Sequence, residues 1–238
     1  MAREVASRGV NVVLVARQGD VLAQLAADLA QQFRVQTHVI AADLSTEAGL
    51  EAVTAGTTDL DVGLLVAAAG FGTSGSFLDA DVRAEREMLN INCWAVTAQA
   101  LTFGRRFARR GHGGMVLFAS LVGFQGVPRA AHYSATKSYV QSLAEALHVE
   151  LAPQGVAVLA SAPGPVHSGF ASRAGMQMGM ALTPADVARA TIGALGRHAT
   201  VVPGGLSKLL TYSLRPLPRW ARVRILGRIM GGMTSRHS

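Results

Sequence analysis

The sequence predicts an α/β fold built on a parallel sheet, and three observations predict it. Short apolar runs rich in β-branched residues alternate with stretches of helical spacing. Turn residues bound each run, and the composition is rich in Ala, Val, Leu and Gly with only 5% aromatics. Strands buried on both faces read as continuous apolar runs, because helices cover the sheet on each side.

The elements follow in order. Residues 1–9 read as the end of a helix closed by Gly9, the usual residue after a helix C-terminus. Residues 11–16 (NVVLVA) form a buried strand, and 20–33 space Val21, Leu25, Leu29 and Phe33 for a helix. A strand at 35–41 leads to Asp43, Leu44 and a helix capped by Ser45 or Thr46. Residues 62–67 are the next strand, running into Gly70-Phe71-Gly72, and one long helical stretch covers roughly 80–110. Strand 115–119, helix 131–151 and strand 156–161 come next. Thr183-Pro184-Ala185-Asp186 opens a helix with proline just inside its start, and 200–202 is the last strand. No fixed-period repeat and no linker divides the chain, so one compact domain is expected.

Composition bounds the function. Of 238 residues, 50% are hydrophobic and 16% charged, which supplies a sizeable core and excludes a disordered chain. The single cysteine, Cys93, excludes an intramolecular disulfide and a cysteine-rich zinc site, and fits a reducing compartment. The first residues lack the apolar stretch of a signal peptide, and no run approaches the ~18 apolar residues of a membrane span. A cytoplasmic protein is the expectation. The net charge of +7 is unevenly placed: no acid follows Asp186, while Arg189, Arg197, Lys208, Arg215, Arg219, Arg222, Arg224, Arg228 and Arg236 do.

Four features carry chemistry. Tyr133 and Lys137 stand four apart on a predicted helix, so their side chains share a face. An ammonium beside a phenol favours the phenolate and would lower its pKa from about 10. The plainer reading is a surface pair on one helix face. Of the 22 basic residues only Lys137 and Lys208 are lysine, and an ammonium, unlike a guanidinium, has a movable pKa. Ser120 follows a strand, where ligands bind in parallel sheets; it reads equally as a cap. Asn92 lies in an apolar helical stretch, where a buried amide needs partners; it supports a water or a kinked backbone, or is a satisfied core residue. Ser161-Ala-Pro-Gly-Pro-Val-His-Ser168 holds an irregular loop at a strand's carboxyl end, a wall for a flat ring or simply a turn.

In order and spacing, Asn92 with Ala95, Ser120, Tyr133, Lys137 and Pro163-Gly164-Pro165-Val166-His167-Ser168 resemble the active site of short-chain dehydrogenases/reductases. The likeness runs from residue 1 to about 205. It implies a doubly wound, Rossmann-like sheet and a catalytic and dinucleotide-binding domain over 1–205, beyond which 206–238 read as a basic, amphipathic C-terminal extension. It further implies hydride transfer between a nicotinamide dinucleotide and a carbonyl or secondary alcohol. Tyr133 would exchange the proton, Lys137 would lower its pKa and hold the nicotinamide ribose, Ser120 would position the carbonyl, and Asn92 would support a relay water. Pro163, Gly164, Val166 and Ser168 (where the family usually has Thr) would line the nicotinamide, and Asp43 and Leu44 match the pair that contacts the adenine. Members preferring NAD carry an acid at the end of the second strand; here Ala16-Arg17 stands there, and a guanidinium suits a 2′-phosphate, so NADP(H) is expected over NAD(H).

Two departures from the family pattern stand out. Ala67-Ala68-Ala69-Gly70 replaces Asn-Asn-Ala-Gly; Ala69 and Gly70 still admit the cofactor. Met1 to Gly9 matches the end of the family's first helix, so the opening strand and its glycine-rich phosphate loop are not encoded. Loss of that mid-sheet strand should leave open edges on both neighbours. A start placed too late, or a truncated form, is the expected explanation; swapping with a second chain is the other. The competing function is a non-catalytic binding or scaffold protein of the same fold, unable to hold the dinucleotide. Phe71, Phe77, Phe124, Val127, Phe170, Met176, Met178 and Met180 are expected to line an apolar pocket for a lipid-like or steroid-like carbonyl substrate. Family members pair through the helices bearing Asn92 and Tyr133, so a homodimer or homotetramer is expected. From Trp220 onward apolar and Arg-bearing sides alternate at helical spacing, which suits a helix closing the substrate pocket or packing in a dimer, and also a membrane surface. Nucleic acid is not expected, since base-stacking aromatics are scarce.

Overall fold

The computed structural model describes residues 1–169, 181–214 and 216–234. It divides into two compact units, Met1–Val62 and Gly63–Ser238.

In the first unit, helix α1 (Ala2–Ala6) ends before Gly9, whose φ of +76° takes the left-handed turn that a Cβ would strain. Strand β1 (Val12–Ala16), helix α2 (Gly19–Phe33), strand β2 (Thr37–Ala41) and helix α3 (Glu47–Gly56) follow. β1 and β2 pair in parallel, Val12 opposite Thr37 through to Ala16 opposite Ala41. The core is Ala6, Leu14, Leu22, Ala26, Leu29 and Val35. Of the predicted helical series only Leu29 is fully buried, while Val21 is exposed. Steps of four residues drift about 40° around a helix, so the inward stripe is Leu22, Ala26 and Leu29 instead. Thr46, one of the two expected caps, accepts a hydrogen bond from Gly49 N at 3.1 Å and starts α3.

The second unit holds strands β3 (Leu64–Ala67), β4 (Gly113–Phe118), β5 (Val156–Ser161) and β6 (Thr200–Val201), parallel and in that order. Met115, Val116, Leu117, Val158 and Leu159 have no solvent exposure, as continuous apolar runs predict. β4 begins two residues before the sequence-based boundary. Gly113 and Gly114 are in the ladder because a Cβ on Gly113 would sit 2.4 Å from the Phe107 ring, which packs there instead. Among the described residues no strand joins the two sheets, so β1 and β3 each have a single partner.

The stretch predicted as one long helix is α4 (Val82–Leu89), a widened π turn over Asn90–Trp94, and α5 (Ala95–Arg110). Helix α6 (Ala131–Leu151) has the predicted bounds. In α7 (Pro184–Ala194), Thr183 caps the start and proline follows. The C-terminal segment forms two helices, α8 (Gly205–Ser213) and α9 (Arg219–Thr234); the first was not legible behind Gly204 and Gly205. No described helix is long and apolar enough to cross a membrane.

Candidate active site

The site is assembled around the carboxyl ends of β3 and β4. Asn92 occupies the π turn and has no solvent exposure. Its Oδ1 accepts from Phe71 N at 3.2 Å, and its Nδ2 donates to Phe71 O at 2.8 Å and to Thr136 Oγ1 at 3.0 Å. One amide thus holds the backbone leaving β3 and the middle of α6. Asn92 is a satisfied core residue at a widened helical turn, a feature common at functional sites. Gly70 must be bare here, since its Cβ would lie 2.6 Å from Asn92 Oδ1 and 3.6 Å from Lys137 Nζ.

Ser120, Tyr133 and Lys137 are all buried. Ser120 caps the short 3₁₀ turn Leu121–Phe124, accepting from Val122 N at 3.4 Å, and its hydroxyl makes a long 3.5 Å contact to Pro163 O. It serves as a cap, and the same hydroxyl faces the Tyr133 phenol closely enough to favour its ionised form. Burial pushes that phenol up to about 12, against the smaller downward pull of Ser120. The expected acidification by Lys137 is not found. Lys137 Nζ is 6.0 Å from the Tyr133 ring centroid and donates to Phe118 O at 2.8 Å. Desolvation dominates both groups, and it brings the lysine down to about 8. The buried Cys93 thiol is raised to about 11 by the same effect.

The loop after β5 lies against Ser120. Pro163 O accepts from Leu121 N at 3.0 Å, and a Cβ on Gly164 would strike Ser207 Oγ and Leu121 Cδ2. Val166 bridges in parallel to Leu182, and Ser168 follows on the exposed side. Ala69 is exposed just past β3. Arg17, Asp43 and Leu44 belong to the first unit. Arg17 Nη1 lies 3.8 Å from Asp43 Oδ2, with both side chains well exposed. Asp43 accepts from Ser45 N at 2.9 Å and Ser45 Oγ at 2.7 Å, bonds that hold its carboxyl below the usual range, with Arg17 contributing less.

Around Tyr133 the apolar cluster consists of Phe71, Met88, Val127, Ala130, Leu226 and Met230. Of the expected pocket residues, Phe71 and Val127 are there, Phe124 is half-buried, and Phe77 points out with 67% exposure. Phe77 opens a 3₁₀ turn at Phe77–Asp79 that presents its ring to solvent. Phe170, Met176, Met178 and Met180 lie outside the described residues, as does Arg215. Sequence reasoning missed Thr136, whose place between Tyr133 and Lys137 was a usable signal. It also missed Met88 and the polar group Thr73, Glu85 and His132, for which no local signal exists, whereas Leu226 and Met230 lie on the C-terminal helix expected to close the pocket. Among the described residues no group of His, Cys, Asp or Glu side chains is arranged to hold a metal ion.

A parallel sheet with a buried Ser–Tyr–Lys cluster at its carboxyl edge defines a class, and comparison with known proteins agrees. The family model for short chain dehydrogenase matches residues 1–178. This chain belongs to the short-chain dehydrogenase family, a class of oxidoreductases. It is similar to the very-long-chain 3-oxoacyl-CoA reductase of Macaca fascicularis, 27% identical over 94% of this chain and 73% of that one. The Homo sapiens counterpart is 30% identical over 68% of this chain, which spans only 53% of that protein's length. Among solved structures, a 7beta-hydroxysteroid dehydrogenase superposes with a TM-score of 0.87 at 25% identity, covering 95% of this chain and 90% of that one. A short-chain dehydrogenase from Sphingobium yanoikuyae in complex with NADPH gives 0.80 at 29% identity, covering 100% and 90%.

Proposed function

We propose that this protein transfers hydride between NADP(H) and the carbonyl or secondary alcohol of an apolar substrate. The observation that carries the reading is the burial of Ser120, Tyr133 and Lys137 together, with the lysine 6.0 Å from the tyrosine ring. The nicotinamide would supply or take the hydride. Tyr133, held protonated by its burial, would donate its proton to the carbonyl oxygen while Ser120 aligns that oxygen. Lys137 would hold the nicotinamide ribose, and the bare backbone at Gly70 beside its ammonium fits that approach. Asn92, at the widened turn, would support a relay water while its amide keeps the β3 exit and α6 in place. Ala69, Pro163, Gly164, Val166 and Ser168 would line the nicotinamide side, and Asp43 and Leu44 the adenine side. Arg17, exposed at the end of β1, would take a 2′-phosphate, which supports NADP(H) over NAD(H).

An apolar substrate is supported by the Phe71, Met88, Val127, Leu226 and Met230 lining beside Tyr133. Relatives named for a very-long-chain 3-oxoacyl substrate and for a hydroxysteroid point the same way. Residues 206–238 act in this reading as an extension of the 1–205 domain that closes the substrate side, since Leu226 and Met230 pack in the Tyr133 cluster. A homodimer or homotetramer is supported by exposed Trp94, Leu101, Tyr139 and Val149 on α5, α6 and the turn before α5. Peripheral membrane contact is supported by exposed Leu209, Tyr212 and Trp220 among cationic side chains.

The test is Tyr133→Phe, assayed by NADPH oxidation against bulky apolar ketones and small polar carbonyls. Loss of a positioned proton donor should cost about 10²–10⁴-fold in rate. An unchanged rate refutes the role of the phenol, and turnover of small polar carbonyls alone refutes the apolar substrate.

A further inference from the structure

The helix bearing Tyr133 and Lys137 starts without the usual devices. Its N-cap is Ala130, no side chain caps it, and no acid stands in its first turn. A helix N-terminus carries about half a positive charge, which a nearby carboxylate offsets. The missing carboxylate comes from α4. Glu85 Oε2 is hydrogen-bonded to Nδ1 of His132, the second residue of α6, and Glu85 Oε1 accepts from the Thr73 hydroxyl at 2.7 Å. The pair is largely withdrawn from water, with side-chain exposures of 14% for Glu85 and 25% for His132, which separates it from a screened surface pair.

Thr73 belongs to the segment between β3 and α4. That segment is gripped at Phe71 by Asn92, and at Gly75, whose N donates to Arg129 O at 2.9 Å, one residue before the helix N-cap. Phe71 packs in the same apolar cluster as Tyr133. Glu85 therefore fastens two walls of the site with its two oxygens, and the phenol follows His132 by one residue.

We propose that Glu85 is a positioning residue for Tyr133. Through His132 it sets the first turn of α6, and through Thr73 it sets the loop carrying Phe71, so that the phenol stays in register with the Ser120 hydroxyl. The inference rests on Tyr133 being the proton donor. A displacement of about 1 Å at a reacting group can cost about 10²-fold, so a loosened turn should be read in kcat.

The experiment compares wild type, Glu85→Ala, Glu85→Gln and Thr73→Val. It measures kcat and KM with an apolar ketone and NADPH, together with amide hydrogen exchange over 71–76 and 130–134. Glu85→Ala should lower kcat about 10- to 100-fold, with KM for both reactants changed less than about threefold. Exchange should quicken in both segments together. Glu85→Gln keeps an acceptor for Thr73 and an amide that can donate to the imidazole, so it should restore most of kcat. Thr73→Val cuts one arm; faster exchange at 71–76 with a smaller kcat loss is expected, and it carries the test if Glu85→Ala does not fold. A lower melting temperature with kcat within twofold of wild type would overturn the proposal, as would a change confined to one segment in Glu85→Ala. If wild type reduces no carbonyl, the functional reading falls, while the exchange data still decide whether Glu85 fastens both segments.

Discussion

Replacing Asn92 with leucine should cost more stability than its size suggests. Leucine keeps the branched four-atom shape of the side chain and opens no cavity, while its bulkier methyl groups add crowding to the polar loss. Wild-type Asn92 makes three hydrogen bonds in a site without solvent: one from Phe71 N, one to Phe71 O and one to Thr136 Oγ1. Each is worth about 1 kcal/mol net, and stripping partners from buried backbone groups adds their desolvation cost, giving about 3–5 kcal/mol in total. For a chain of this length each kcal/mol moves Tm by about 2–4 °C, so a drop of about 6–20 °C is expected. Calorimetric melts of Asn92→Leu beside wild type measure it. A Tm within about 2 °C of wild type would refute the claim that this amide ties the β3 exit to α6.

Four further outcomes are expected. Lys137 is lowered by burial from 10.5 to about 8, so between those pH values the unfolded chain binds the proton that the folded chain has lost, and stability should rise with pH across that window. Tyr133 is raised by burial from 10.0 to about 12, so from pH 10 upward the folded chain keeps a proton the unfolded chain gives up, and stability should fall. Denaturant melts against pH should lose the rise in Lys137→Met and the fall in Tyr133→Phe; three parallel curves would contradict both assignments. Arg17→Ala should weaken NADPH binding about tenfold or more and leave NADH binding nearly unchanged, as read by fluorescence titration; tighter NADH binding by wild type would reverse the preference. In flotation, wild type should rise with vesicles containing phosphatidylserine, and Leu209→Ser with Trp220→Ser should stay below. Equal behaviour would end the membrane reading.

The sequence by itself determined the elements whose signals are local. Helix α6 and strand β5 have their predicted bounds, because side-chain periodicity and flanking turn residues depend on near neighbours. The four-residue spacing of Tyr133 and Lys137, and Ser120 just beyond β4, were legible for the same reason. The break in the long helical stretch was not: Asn92 is turned inward by partners 21 and 44 positions away. Nor was the link between Glu85 and His132, 47 positions apart.

Tertiary structure also reversed one expectation of chemistry. Spacing alone places an ammonium near a phenol and predicts an acidified tyrosine, but the folded chain dehydrates both groups and turns the lysine toward Phe118 O. Proximity along a helix is set by the backbone, whereas the solvation of a charge is set by everything packed around it. Only the complete fold could decide that second quantity.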